Sequence, residues 1–432
     1  MKYVVNLKIL IITMIDPRKF HPRTYIFNKI IENLKKKIIV KPCWLICQPD
    51  RFHIPDNQQR SIYDIHSFSD ANDIIKKIKP DVILVDKDKD LIQNAITIAA
   101  KFQQIPIIAR PSMIDYNPTL ENSSSKNIKI RNFFSTQVPS DESNNKFMRR
   151  GKFFFYKFLF LIHTKIAINE NFFKIISSSF NEFLNITISS KQSSLNPNID
   201  LHLIVNSEQV SNYEKFGVKK SSLRLVGNIW LDRFFEIIDS KELGLQKNIK
   251  ILIISSPLFE HGIWTSEQRE SFLSELLSIL NTESKFSISL KIHPTSESQE
   301  YYKNLLKSKH MNFPIFQSEE LLELIPNYDL FITYGASNAL TELAFCQKRV
   351  INIPLKQPIE SKPLVNEAIF CGFIKKCEKL KDLLSTINMS VKTIPKPNEN
   401  YLDKKEKFFF NSDGKSAERA SDAIIEFLNK TH

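Results

Sequence analysis

Short apolar runs rich in Ile, Val and Leu recur along the chain, separated by longer stretches in which apolar positions fall three or four residues apart. The short runs predict strands buried on both faces, and the longer stretches predict amphipathic helices packed over them. From the N-terminus this gives a strand at 7–15, a helix at 24–36, a strand at 38–48, a helix at 70–78 and a strand at 80–86. A helix at 90–102, strands at 105–109 and 201–205, a helix from 207 to 216 and a strand around 223–227 follow. The rhythm resumes with strands at 249–255, 286–292, 314–316, 328–333 and 349–354. Helices are predicted between them at 265–280, 298–306, 319–325 and from about 337 to 346. A helix at 363–370, a short strand at 372–374, a helix at 380–387 and a last helix at 416–428 complete the pattern. Strands and helices alternating in this way build parallel α/β sheets.

The polar stretch 239–248 divides the pattern into two Rossmann-like halves, residues 1–238 and 249–432. A chain of 432 residues exceeds what one compact core accommodates, so two domains suit its length. Residues 118–145 are rich in Ser, Asn and Lys and carry little periodicity, which predicts a mobile loop or lid. Beyond them, to about residue 165, Lys146, Arg149, Arg150 and Lys152 lead into an aromatic and aliphatic run from Phe153 to Ile162. That run is too short to span a bilayer. Two readings stand: shallow docking on an anionic membrane, or a buried helix whose basic residues remain solvated.

Composition narrows the function classes. The mix is that of a globular protein, 42% hydrophobic and 25% charged, with a formal charge of +13. An acidic partner follows, whether a phosphorylated small molecule or anionic lipid. Nucleic acid is not expected, because one basic-aromatic cluster without an accompanying recognition signature falls short of a stacking platform. Only 8 Gly are present and neither GxGxxG nor GxxxxGK[ST] occurs, so a dinucleotide fingerprint and a P-loop are both unsupported. Cys43, Cys47, Cys346, Cys371 and Cys377 include no CxxC and suit reduced thiols in a cytoplasmic protein. The acidic run Asp86-Lys87-Asp88-Lys89-Asp90 reads as a charged turn and helix cap, so no metal site is assigned.

Candidate chemistry concentrates where strands end. His293-Pro294 closes the strand at 286–292, and Gly335-Ala336-Ser337-Asn338 closes the one at 328–333 and opens a helix. Ser256 opens the loop after the strand at 249–255. In parallel sheets ligands bind beyond the carboxyl ends of the strands, and helix N-termini there present N–H groups to anions. His293 with Ser337 therefore predicts a phosphate pocket.

These features together resemble GT-B-fold glycosyltransferases of the bacterial surface-polysaccharide type, which share their fold with the non-hydrolysing UDP-N-acetylglucosamine 2-epimerases. The likeness rests on Pro80-Asp81-Val82-Ile83-Leu84-Val85 followed by Ile105-Pro106-Ile107-Ile108, and on Glu208 through Gly217-Val218 to Gly227-Asn228. It rests also on Ile292-His293-Pro294 with Ser337-Asn338 and Glu342-Leu343-Ala344, and on the ending Asp413-Gly414-Lys415-Ser416-Ala417-Glu418-Arg419. The resemblance implies two Rossmann-like domains facing a central cleft. It implies that His293, Ser337, Asn338 and Glu342, with Ser256 beside them, bind the donor, Glu342 taking the ribose hydroxyls. It implies metal-independent transfer, without a cofactor, of a sugar from a nucleotide-sugar donor to a glycan or lipid-linked acceptor, at the inner face of the plasma membrane if the docking reading holds. Asp16, His21 and Glu260, at strand ends, are the candidate general bases. A UDP-sugar 2-epimerase-like activity and a CDP-alcohol phosphotransferase of envelope polymer synthesis stand as alternatives. Against the first, the Ser-Gly-Gly of the epimerases is replaced here by Ala336-Ser337-Asn338.

Overall fold

The computed structural model of the protein describes residues 6–18, 21–47, 61–86, 90–111, 143–187, 196–235, 248–260, 262–294, 296–335, 337, 339–355, 373–392 and 410–431. The chain divides into two compact units. Unit 1 comprises Met1–Asp232 with Glu406–His432, and unit 2 comprises Arg233–Lys405.

Unit 1 is built on seven parallel strands: β1 (Asn6–Thr13), β2 (Ile39–Ile46), β3 (Ile62–Asp64), β4 (Val82–Val85), β5 (Ile107–Ala109), β6 (Leu201–Ile204) and β7 (Leu223–Leu225). Their order is β3-β2-β1-β4-β5-β6-β7, and every neighbouring pair is parallel. Unit 2 carries six: β8 (Ile249–Ile254), β9 (Phe286–Lys291), β10 (Ile315–Phe316), β11 (Leu330–Tyr334), β12 (Val350–Ile353) and β13 (Ile374–Lys376). Their order, β10-β9-β8-β11-β12-β13, is again parallel throughout. In both sheets the chain winds outward one way from its first strand and then returns to its other side. The two reversals, between β1 and β4 and between β8 and β11, are topological switch points, where such sheets open a crevice for ligands.

Helices form where the apolar period and the caps agree. His21 caps the helix Pro22–Lys35, which begins with proline at a position where no amide hydrogen is needed. Asp70, Asp90, Asn206 and Ser298 each accept a backbone N–H at the start of the helix that follows, worth about 1 kcal/mol apiece. Thr265 and Gln268 form a reciprocal capping box on the helix Ser266–Asn281. A core of Leu10, Ile12, Leu45, Ile83, Ile96 and their neighbours fills unit 1, and one of Ile251, Ile253, Leu276, Leu290 and Ile332 fills unit 2.

The structure adds to the sequence expectations, resolves part of one and corrects another. The strand Ile62–Asp64 and the helix Phe172–Thr187 were not predicted, because a three-residue edge strand and a Ser-interrupted helix carry weak periodicity. The aromatic run 153–162 lies in a 25-residue helix, Ser143–Ala167. Its Phe160 and Leu161 are in the core of unit 1, with Tyr156 and Phe158 packed against that core. Finally, the domain expected over 249–432 loses its last helix to unit 1. Ser416–Thr431 packs on Pro22–Lys35, where Ser421 Oγ donates to the Ile30 carbonyl at 3.2 Å. Periodicity marks the apolar face of a helix but not the sheet it will cover. The expected helix at 363–370 and most of the expected lid at 118–145 lie outside the described residues, as does Cys371.

Candidate functional site

The carboxyl edge of the second sheet is organised by a buried carboxylate, Glu297. Its Oε2 accepts the Ser255 hydroxyl from the end of β8 and the His293 backbone N–H, at 2.6 Å, from the end of β9. Its Oε1 accepts the Tyr302 hydroxyl at 2.5 Å, and its own carbonyl accepts Gln317 Nε2 at 2.8 Å. Such a group persists away from water only because its lone pairs are met by donors. One residue thereby fixes two strand ends and the first turn of the helix Gln299–Ser308. Burial raises the Tyr302 and Tyr334 phenols, so both stay protonated, in hydrogen-bonding contact with each other. Trp264 stacks on Tyr334 at 5.9 Å with ring planes 7° apart.

His293 sits half-buried at this edge, and its Nδ1 accepts the Ser296 N–H at 3.2 Å. A neutral imidazole accepting at Nδ1 carries its proton on Nε2 and presents that side as a donor. Ser256 Oγ donates to the Tyr334 carbonyl at 2.7 Å, bonding β8 to β11 across the switch point. Gly335 then turns the chain at φ +66, a left-handed conformation natural to glycine, with its N–H on Ile353 O and its carbonyl on Asn352 Nδ2, each at 3.0 Å. Ser337 follows. Its hydroxyl accepts the Ala339 N–H at 3.3 Å and its carbonyl the Leu340 N–H, opening the helix Ala339–Phe345. Ser256, His293 and Ser337 therefore stand beyond the carboxyl ends of three adjacent strands, β8, β9 and β11. Glu342 is half-buried within the Ala339–Phe345 helix. Asn338 lies outside the described residues.

Glu260, in the turn after β8, ion-pairs with Arg269 at 2.8 Å. That guanidinium is sandwiched between the Phe259 and Tyr301 rings, 4.0 and 3.6 Å from their centroids. Lys291 is buried at the end of β9 and donates to the carbonyls of Ile292 and Gln317; burial pulls its pKa down.

The switch point of unit 1 is built differently. Asp16, buried after β1, chelates the Arg18 guanidinium (Nε to Oδ1 2.9 Å, NH2 to Oδ2 2.8 Å). Asp86, after β4, takes the buried Arg110 from the end of β5 at 2.8 Å and lies 3.4 Å from Arg23. His21 accepts the Arg23 N–H through Nδ1 at 3.1 Å. Burial, then Arg23 and Arg110, hold His21 down at about 4, with Asp86 opposing. The Nδ1 lone pair is thus committed, so the neutral ring carries its proton on Nε2. Asp16, His21 and Glu260 are each engaged by a local partner. Asp86 and Asp90 are an arginine ligand and a helix cap, and no group of three or more His, Cys, Asp or Glu gathers as a metal site among the described residues.

Sequence reasoning located the strand-end residues and missed the group that holds them. Glu297 lies four positions beyond His293, immediately before the cap Ser298, and reads in sequence as an ordinary acid of a helix start. Its burial is set by Ser255 and Tyr302, which reach it from other elements.

No protein-family model matches the sequence, and no curated protein matches it. Solved structures do. The chain is similar to UDP-GlcNAc 2-epimerase from Methanocaldococcus jannaschii at TM-score 0.54 and 14% identity, covering 99% of this chain and 100% of that one. The enzyme from Neisseria meningitidis, solved bound to UDP-GlcNAc, matches at 0.51 and 16% identity, covering 99% and 100%. A glycosyltransferase of kitacinnamycin matches at 0.50 and 10% identity, covering 99% and 98%. At these identities the likeness is one of fold: two Rossmann-like domains of the GT-B type, shared by the epimerases and the transferase.

Proposed function

We propose that this protein is a nucleotide-sugar enzyme that transfers a sugar from its donor to a glycan or lipid-linked acceptor. The observation that carries the reading is the fixed His293. Its backbone N–H is anchored by Glu297 and its Nδ1 accepts from Ser296, so a neutral ring carries its proton on Nε2 beside the switch point of unit 2. A preset donor at that place suits the diphosphate of a nucleotide sugar, whose charge grows as the glycosidic bond breaks. Ser256 and Ser337 flank the same edge, and Glu342, one turn into the helix, suits the ribose hydroxyls. Asn338 belongs to the same donor set by sequence position. Among the candidate bases Asp16 is favoured, because its partner Arg18 is exposed enough to exchange for solvent or substrate. Releasing Asp16 from Arg18 would precede proton transfer from the acceptor hydroxyl.

A second reading, isomerisation of a UDP-linked sugar at C2, draws support from the epimerases among the similar structures. Two measurements decide. Calorimetric titration with UDP-, GDP-, CDP- and CMP-linked compounds should find one nucleotide class that binds. His293→Ala should weaken that binding roughly 10- to 100-fold, the worth of one hydrogen bond to a charged group. Unchanged affinity in a folded variant would remove the reading's foundation. Proton NMR of UDP-GlcNAc incubated with enzyme alone separates the chemistries. A second anomeric signal without acceptor supports isomerisation, whereas donor consumption only with acceptor supports transfer.

A further inference from the structure

The helix Phe172–Thr187 is amphipathic in the reverse sense for a protein surface. Its inner side is partly polar. Ile175 and Ser179 are buried, and Ser178 and Ser179 receive the ammonium of the buried Lys165 at 2.8 and 3.3 Å. Its outer side carries Phe173, Ile176 and Phe180, which are 80%, 54% and 56% exposed. These three recur at spacings of three and four, so they lie along one side of the helix. Ile166, in the last turn of the preceding helix, and Phe155, three turns earlier, are 53% and 61% exposed. Scattered exposed apolar residues are ordinary, but a row of large ones along a helical pair marks an interaction surface.

Charge selects the occupant. The helix Ser143–Ala167 contains no Asp or Glu, and its first ten residues include Lys146, Arg149, Arg150 and Lys152. Lys174, beside the exposed Phe173, is exposed and ion-pairs with Glu170 at 3.3 Å. The chain as a whole carries a formal charge of +13. Large apolar side chains next to a helix that is basic in sequence match an anionic bilayer: rings enter the acyl boundary while basic groups meet headgroup phosphates. No described helix is long and apolar enough to cross a membrane, so the contact is peripheral.

We infer that the side of the Phe172–Thr187 helix bearing Phe173, Ile176 and Phe180, with Ile166 and Phe155, docks this protein on an anionic lipid surface. Among the described residues of the 153–162 run, Phe155 belongs to this surface, whereas Phe160 and Leu161 lie in the core of unit 1. The inference stands independently of the enzymatic reading.

Vesicle co-sedimentation of the full chain tests it, using phosphatidylcholine alone and an equimolar mixture with phosphatidylglycerol. The wild type should pellet with the mixture, weakly or not at all with phosphatidylcholine, and less as salt rises. The triple variant Phe173→Ser, Ile176→Ser, Phe180→Ser alters exposed positions, so its melting temperature should hold while vesicle affinity falls at least about tenfold. Changing Lys146, Arg149, Arg150 and Lys152 to Gln should weaken binding and remove most of the salt dependence. Equal binding to both vesicle types, or a triple variant that binds as well as wild type, overturns the inference. So does a wild-type dimer that ignores vesicles and becomes monomeric in the triple variant, which would give this face to a second copy of the chain.

Discussion

The two switch points of the molecule solve one problem by opposite means. At both, parallel strands deliver polar side chains to a carboxyl edge that must stay ordered. In unit 1 order comes from ion pairs, Asp16 with Arg18 and Asp86 with Arg110, around a histidine kept neutral. In unit 2 it comes from one buried carboxylate that gathers neutral donors from Ser255, Tyr302 and the backbone of His293. A charge-paired edge can release a side chain by exchanging partners with a ligand. An edge wired through a buried acid is stiff, and stiffness suits the recognition of a fixed group such as a diphosphate.

The sharpest break in this comparison is removal of the buried acid. Glu297→Ala leaves two hydroxyls and an amide without an acceptor in the core of unit 2, which should cost about 3 kcal/mol or more. Trp264, stacked on Tyr334 in that core, makes fluorescence during denaturant unfolding a local reporter. A loss below about 1 kcal/mol would mean that the wiring is dispensable. Glu297→Gln should cost less, since it keeps the shape and an acceptor oxygen.

The next effect is on unit 1. Gly227 has φ +96, and a Cβ there would lie 2.5 Å from Ser416 Oγ and 3.0 Å from an Arg419 nitrogen. Gly227→Ala should destabilise unit 1 by about 2 kcal/mol or more, through backbone strain and displacement of the final helix. Trp230 fluorescence in the same denaturation would show it.

Protonation gives a graded version. His21 and the buried His202 are both depressed to about 4, His21 by burial and then neighbouring arginines, His202 by burial against the opposing pull of Asp200. Their folded forms disfavour the proton, so the stability of unit 1 is full above their ordinary value of about 6.5 and is lost as pH falls toward 4. His202 Nδ1 has no hydrogen-bond partner, and its ring meets Tyr213 edge-on at 5.2 Å. His202→Phe should therefore flatten the acid limb of a pH–melting curve; an unchanged limb would exonerate His202. The smallest effect belongs to the exposed pair Lys37–Asp422. Lys37→Ala should cost under about 0.5 kcal/mol and vanish in high salt.

These contrasts show what a sequence reveals and what it conceals. Strand-and-helix rhythm, the helix caps and the strand-end position of His293, Ser256 and Ser337 follow from local order, because topology alone carries them to one edge. Glu297 was invisible because its burial is decided by other elements, Ser255 at the end of β8 among them. The engagement of Asp16 by Arg18 was written two residues away, yet chelation depends on a turn whose geometry the pattern leaves open. The outward aromatic face at Phe173 carries no basic flank to mark it in sequence, whereas the neighbouring basic-aromatic run, left open between surface and core, sends Phe160 and Leu161 into the core of unit 1.

The return of the last helix has a consequence for how the molecule is made. Ser416 is bonded through its N–H and its hydroxyl to Asp232, the last residue before the chain departs for unit 2. Unit 1 thus lacks the helix that packs on Pro22–Lys35 until the ribosome has finished everything between. For the same reason a fragment ending near residue 232 is an incomplete fold, whereas a gene joining 1–232 to 406–432 through a short linker should encode a stable one.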